Sequence, residues 1–327
     1  GFGAAGGINN DSAIRNVFIG EYAGYGGTGA LNYSVAIGYR ALDATDSSGD
    51  ASGVVAIGYY AGSGITSGAG NTAIGYEALL TEDTGGGNTA IGYQALKLNN
   101  KDSSDAGNTV IGYQAATAYT SHHRNTIIGY QAALSADGGE NNNTIIGWQA
   151  GMSMNSNDAS NNVIIGKEAG TGGTGTLASA VIIGVSAMNS TANHASTGQI
   201  AIGQSALTAL TSGTGNTAIG YKAGQGITSN NRNTIIGYEA VYSSSTNDDL
   251  VVVGYKAGYN LNGNDHTGAV LIGSEAGYNL TNDHPAQQGS MYIGYQAGYN
   301  YTTANTSMGI GFKALYGLYV GANGNSH

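Results

Sequence analysis

An Ile-Gly step, in which valine once replaces isoleucine, occurs seventeen times along the 327 residues and constrains the fold more than any other feature. Successive repeat glycines are 17 to 21 residues apart. Regular repeats of about this length are typical of solenoids, in which each coil buries its apolar face against the neighbouring coils. The repeat glycines are Gly20, Gly38, Gly58, Gly75, Gly92, Gly112, Gly129, Gly147, Gly166, Gly184, Gly203, Gly220, Gly237, Gly254, Gly273, Gly294 and Gly311.

The residues around each glycine predict one short strand per repeat. Every copy has a β-branched residue or methionine three places before the glycine, an apolar residue or glycine two places before it, and isoleucine or Val253 directly before it. These residue types favour strands, and alternate residues of a strand face opposite sides. Both faces are therefore apolar, and we expect one to line the coil interior and the other to meet another chain. The alternative is a single-chain solenoid whose loops fold back over the second face.

Segments rich in Gly, Ser, Thr, Asn and Asp separate the motifs and vary in length while the motif does not. Such segments are loops at one edge of a solenoid. The sequence thus predicts an all-β fold, a parallel β-solenoid or β-roll of about seventeen coils, as one repeat array over residues 1–327. Because the motif is interrupted at residues 1–4 and again at 325–327, we expect a fragment of a longer chain.

Composition and charge exclude several classes of function. The formal charge is −10 and the ten basic residues are scattered, which disfavours nucleic acid as a partner. The chain has no cysteine, so it has neither disulfides nor thiolate metal ligands. Its apolar runs, such as Leu250 to Val253, are too short for membrane insertion.

The repeat glycine predicts a turn or a close backbone approach where a Cβ atom would clash. A phosphate-binding role is disfavoured because no helical pattern follows it. Alanine stands three residues after the glycine in all seventeen copies, which indicates a narrow interior. Nine copies have asparagine four residues before the glycine, and stacked amides of this kind hydrogen-bond along the axis of a solenoid.

The segments Asn-Thr-Ala-Ile-Gly-Tyr-Gln-Ala (88–95) and Asn-Thr-Ile-Ile-Gly-Tyr-Gln-Ala (125–132) resemble the repeats of phage and bacterial tail-fibre-like proteins. They are also similar, more loosely, to the head repeats of trimeric autotransporter adhesins, from which this chain departs in its longer coil and in the tyrosine after the glycine. The resemblance covers nearly the whole chain. It implies a homotrimer, or another homo-oligomer, of β-rolls within an elongated extracellular fibre.

An aromatic residue directly follows the glycine in most copies, and stacking of the coils would align these rings in a ladder. One interpretation is packing within or between chains, and the other is a surface that binds the sugar rings of a glycan. The ladder residues considered as a candidate surface are Tyr76, Tyr93, Tyr113, Tyr130, Trp148, Tyr221, Tyr238 and Tyr255.

The six histidines lie outside the motif, on segments that we expect to be solvated loops. Two Asn-Asp-His triplets 18 residues apart would fall on consecutive coils, where their carboxylate and imidazole groups could hold a divalent cation. The alternative is that they are solvated loop residues; otherwise we expect no cofactor. The candidate ligands are Asp265, His266, Asp283 and His284.

The sequence contains no Ser-His-Asp grouping on a recognisable scaffold, no phosphate loop and no recurrent carboxylate pair, so we expect no enzymatic activity. The pattern favours the structural and adhesive shaft or head segment of an extracellular fibre, on a virion tail or a cell surface. Its variable loops would attach multivalently to a cell surface or glycan. The alternative is a self-assembling structural filament or sheath subunit without a receptor.

Overall fold

The chain is described from a computed structural model. Within the described residues it forms strands and turns and no helix, and hence no helix that could cross a bilayer. The described residues are 2–4, 6, 14–26, 31–44, 51–99, 106–136, 140–154, 159–172, 175–190, 196–244, 247–263, 266–282, 289–301 and 307–317.

The chain divides into two compact units, Gly1–Ile165 and Gly166–His327. In the first unit nine strands pair in chain order as one parallel sheet. The strands are β1 (Val17–Ile19), β2 (Val35–Ile37), β3 (Val55–Ile57), β4 (Thr72–Ile74), β5 (Thr89–Ile91), β6 (Thr109–Ile111), β7 (Thr126–Ile128), β8 (Thr144–Ile146) and β9 (Val163–Ile165).

In the second unit eight strands pair in the same way, and two more form a separate parallel pair. The eight are β10 (Val181–Ile183), β11 (Ile200–Ile202), β12 (Thr217–Ile219), β13 (Thr234–Ile236), β14 (Val251–Val253), β16 (Val270–Ile272), β18 (Met291–Ile293) and β19 (Met308–Ile310). The separate pair is β15 (Asn260–Gly263) and β17 (Asn279–Asn282).

Each strand pairs with the equivalent residues of the next repeat. Thr72 lies opposite Thr89, and Ile74 lies opposite Ile91. Because each repeat contributes one strand in register, like residues form columns, and the predicted all-β parallel β-solenoid is confirmed. Trimer formation stays a prediction.

The middle residue of each strand points into the coil. Ala73 and Ile127 are fully buried there, whereas the two flanking residues, such as Thr72 and Ile74, are half-exposed on the outer face. The alanine three residues after the glycine, such as Ala78, is buried in the same interior. Within the chain itself, only one of the two apolar strand faces is therefore fully covered.

The segment after each glycine turns the chain while keeping its contacts between coils. The residue two places after the glycine has a positive φ in all seventeen copies, for example 51° at Glu77. Its N–H donates to the carbonyl of Tyr59 in the preceding coil, at 2.9 Å, while the N–H of Leu79 donates to Ala95 in the following coil, at 3.0 Å. Hydrogen bonds between coils thus continue through this left-handed turn. They offset the cost of a positive φ at residues other than glycine.

Candidate binding surface

The repeat glycines form a backbone column at the end of the strands. Their φ values lie between 125° and 145°, a region that L side chains rarely adopt. A Cβ atom on Gly112 would lie 2.2 Å from the carbonyl oxygen of Gly129 in the next coil. Glycine is therefore required for two reasons: the positive φ of the turn, and the approach of successive coil backbones too close for a Cβ atom.

A first aromatic ladder runs beside this column in the first unit. It consists of Tyr39, Tyr59, Tyr76, Tyr93, Tyr113, Tyr130 and Trp148. Tyr39 stacks on Tyr59 at 5.4 Å and 15°, and from Tyr59 to Tyr130 successive centroids are 5.0 to 5.1 Å apart, with interplanar angles of 7° to 11°. Trp148 stacks on Tyr130 at 6.3 Å. The structure thus brings the five candidate residues of this unit together.

The stacking decides what this ladder can offer a ligand. Each inner ring has a neighbouring ring on both faces, so its solvent contact, 39% for Tyr93 and 43% for Tyr113, comes from edges and hydroxyl groups. Sugars stack on ring faces, through their apolar side. The geometry of the inner rings therefore favours packing over binding of a sugar ring.

An amide column adjoins the first aromatic ladder. Each glutamine donates through Nε2 to Oε1 of the glutamine in the preceding coil, at 2.9 to 3.1 Å, from Gln149 through Gln131 and Gln114 to Gln94. The chain of amides ends where Gln94 donates to Glu77 at 2.9 Å. Lys97 lies 2.6 Å from the same carboxylate, and its hydrogen bond holds the pKa of Glu77 below the usual value. The acid is held ionised at the end of an oriented amide chain.

In the second unit the candidate residues Tyr221, Tyr238 and Tyr255 also stack, at 5.0 and 5.6 Å. A second aromatic ladder accompanies them: Tyr242, Tyr259, Tyr278, Tyr299 and Tyr316, with centroids 4.8 to 5.2 Å apart. Its sequence signal is a tyrosine five residues after the glycine in the last five copies. The sequence interpretation missed it because the residues beyond the alanine were taken as part of the variable loops.

Lysines stand between the two ladders of the second unit. The Nζ atom of Lys256 is 5.5 Å from the ring centroid of Tyr255 and 5.1 Å from that of Tyr259. The same ammonium pairs with Glu239 at 3.4 Å. The cation–π contacts and the ion pair thus connect the two rows of rings through Lys256 and Glu239, which each stand two residues after a repeat glycine.

The asparagine column is buried and hydrogen-bonded along the coil stack, as the sequence predicted. Asn88 accepts the N–H of Asn108 through Oδ1 at 3.0 Å, and Asn108 accepts that of Asn125 at 3.0 Å. Nδ2 of Asn108 donates to the carbonyl of His122 at 2.8 Å. Each side chain therefore joins a strand start to a loop and to the next coil.

A buried acidic column in the loops of the first unit had not been expected. Glu82, Asn99, His122 and Glu140 are all fully buried. Glu82 accepts from Asn99, whose Oδ1 accepts the N–H of His122 at 3.3 Å, and Nε2 of His122 bonds to the carboxylate of Glu140. The expectation of a solvated loop is wrong for His122, because the coil interior extends beneath these loops and encloses its ring.

The tautomer of His122 follows from its contacts. The N–H of Ser121 donates to Nδ1 at 3.1 Å, so the ring proton lies on Nε2, facing Glu140. Tyr119 stacks on the imidazole with centroids 4.0 Å apart. Burial raises the pKa of Tyr119 well above the usual value. These groups are sealed from solvent, so they can hold the loops but have no path to a substrate in this conformation.

Three of the four candidate metal ligands, Asp265, Asp283 and His284, lie outside the described residues. His266 is buried, and its backbone N–H donates to Oδ1 of Asn247. The described ranges contain no group of three or more His, Asp or Glu side chains that could hold a metal ion. The cation site stays a prediction.

No protein family model, curated protein or solved structure matches this chain.

Proposed function

We propose that this chain is the shaft or head segment of an extracellular, homo-oligomeric fibre, whose variable loops attach multivalently to a cell surface. The observation that supports it most directly is the outer strand face, where a half-exposed apolar residue precedes the glycine in coil after coil. Soluble monomers rarely expose apolar patches of this extent.

The six coils from β3 to β8 give the clearest example. Directly before the glycine they carry isoleucine only, and three residues before it they carry threonine or Val55. The first aromatic ladder follows on the other side of the glycine column. None of these three columns holds a charged residue in these coils. Five strand spacings of about 4.8 Å give this uncharged face a length of about 24 Å along the stack.

A second copy of the chain is the partner that fits this face best. The chain is acidic overall, so like-charge repulsion opposes self-association wherever charges face each other. The uncharged columns avoid that repulsion, and two copies share the same coil spacing, so that their ridges match along the stack. The trimer in particular follows from the resemblance to fibre repeats.

Sedimentation velocity of a substituted chain tests the oligomer. Ile111→Glu places a charge in the middle of the outer face, and Leu98→Glu places one at a residue that is 40% exposed on another side of the coil. We expect Ile111→Glu to reduce the oligomer to monomer and Leu98→Glu to leave it intact, with unchanged circular dichroism in both. A wild-type monomer, or equal effects of the two substitutions, would contradict the proposal.

Glycan-array binding by the intact oligomer tests the attachment role separately. Binding to at least one glycan class is expected. A blank array, together with indefinitely long ordered polymers in negative-stain images, would favour the alternative of a structural filament or sheath subunit without a receptor.

A further inference from the structure

A cleft of about 350 Å³ opens in the second unit where the second aromatic ladder begins. Its wall includes Thr208, Gln225, Tyr242, Ser243 and Ser244. No charged side chain of the described residues belongs to that wall. The cleft lies outside the outer strand face that we assign to contacts between copies.

The cleft exists because the repeat changes at this point. Thr208 and Gln225 are five residues after their glycines, the position that Tyr242 holds in the following coil. The two coils approach each other closely here, since a Cβ atom on Gly226 would lie 3.0 Å from Cα of Ser243. Gln225 and Thr208 thus occupy the next two ladder positions with smaller, polar side chains.

Tyr242 consequently has one face that no aromatic ring covers. One face stacks on Tyr259 at 4.9 Å and 4°. Among the described residues no aromatic ring stacks on the other face. The ammonium of Lys222, from the preceding coil, lies over the Tyr242 ring at 5.4 Å from its centroid and over the Tyr221 ring at 5.3 Å, so this face carries a cation on a long side chain and no ring. Unlike the inner rings of the ladder, Tyr242 can accept a further ring.

Three polar side chains of the cleft wall can each form a further hydrogen bond. Within the described residues, Oε1 of Gln225 has no hydrogen-bond partner and no solvent contact, which is an unfavourable state for a buried amide oxygen. The hydroxyl of Ser244 accepts from Nδ2 of Asn247 at 2.8 Å and keeps its own proton for donation. The hydroxyl of Thr208 donates to the carbonyl of Ser205 at 2.6 Å and can still accept.

We propose that this cleft binds one pyranose ring of a neutral saccharide. The apolar side of the sugar stacks on the face of Tyr242 that no ring covers, in the place of the next ring of the ladder, and displaces the long Lys222 side chain from that face. Rotation of the Gln225 amide lets its oxygen accept a sugar hydroxyl, while Ser244 donates and Thr208 accepts. A neutral sugar fits because the wall residues are uncharged and the chain is acidic overall, and the nearby Lys222 ammonium can donate to a sugar hydroxyl. This inference specifies the receptor of the proposed attachment function and rests on it.

Calorimetric titration of the intact oligomer with neutral and acidic oligosaccharides tests the proposal. Tyr242→Ala should weaken binding of the neutral saccharide about tenfold or more, since it removes the stacking face. Tyr278→Ala is the matched control, because it removes an inner ring with both faces covered. It should leave the affinity within about twofold. Gln225→Leu, which keeps the volume but removes the amide, should also weaken binding.

The outcomes separate this site from the proposed function. If wild type binds a neutral saccharide and Tyr242→Ala and Tyr278→Ala bind it equally well, the cleft is wrong while glycan attachment stands. If only acidic saccharides bind, with an affinity that falls with salt, the neutral class is wrong. If the oligomer binds no saccharide, the proposed attachment role and the proposed cleft site are both wrong. The proposal that copies associate through the outer strand face is tested separately, by sedimentation velocity.

Discussion

Ser274 interrupts the aromatic column that directly follows the glycines in the second unit, and its replacement by tyrosine should stabilise that unit. The pairing of β14 with β16 and of β16 with β18 places Ser274 between Tyr255 and Tyr295. Tyr255 stacks only toward Tyr238, and Tyr295 only toward Phe312. Among the described residues, each ring therefore has one face without an aromatic neighbour.

The size of the gain follows from the pairs that Ser274→Tyr would create. Existing neighbours stack at 5.6 Å on one side and 5.5 Å on the other, and a ring at the same spacing would make one pair with Tyr255 and one with Tyr295. Cross-strand aromatic pairs contribute about 0.2–1 kcal/mol each, so we expect a net gain of about 1 kcal/mol. In a repeat array the gain is confined to nearest neighbours.

Urea unfolding of wild type, Ser274→Tyr, Ser274→Leu and Ser274→Ala measures this gain. Ser274→Tyr should raise the free energy of unfolding above all three others, with added intensity in the near-ultraviolet circular dichroism from coupled rings. If leucine stabilises as much as tyrosine, apolar burial rather than ring stacking is responsible. If tyrosine is no more stable than alanine, the reasoning about an open ring position is refuted.

Two other predictions concern the buried columns. Asn108→Ala removes the acceptor of the Asn125 N–H and the donor to the carbonyl of His122. It should therefore lower the free energy of unfolding, measured by urea unfolding, by about 2–4 kcal/mol. A loss below about 1 kcal/mol would contradict a structural role for the asparagine column. Burial raises the pKa of Tyr292 from 10.0 to about 12, so the folded chain holds this proton more tightly than the unfolded chain. Its contribution is complete below pH 10 and declines by roughly 3 kcal/mol as the pH rises to about 12, and Tyr292→Phe should flatten that part of the measured pH dependence.

The fold could be predicted because the repeat fixes backbone geometry. A glycine such as Gly112 is required where the backbone of the next coil approaches within contact distance of a Cβ position. The strand residues before it alternate between the interior and the outer face. Both constraints act within one repeat and recur in every copy, so they are visible in a single sequence.

The loop interior could not be predicted in the same way. His122 and Glu140 each lie seven residues before the next repeat glycine, whereas Glu82 and Asn99 each lie seven residues after the preceding one. Because loop length varies between coils, counting from one glycine alone does not align all four residues. The second aromatic ladder, in contrast, keeps a fixed distance from the glycine, and a comparison of every position in the repeat would have found Tyr242 and its successors.

The columns also explain why recognition should occur where the repeat changes. Inside a ladder, each ring satisfies its neighbours and leaves only edges to solvent, as at Tyr93. At a change of residue type, as between Gln225 and Tyr242, a ring face is left without a ring neighbour and a polar acceptor without a hydrogen-bond partner in the described chain. A uniform ladder therefore stabilises the coil stack. Its interruption creates a single place whose shape, hydrogen-bond donors and acceptors differ from those of every other coil. On this reasoning, a ligand that binds the solenoid specifically should occupy one coil step at an interruption rather than every coil alike.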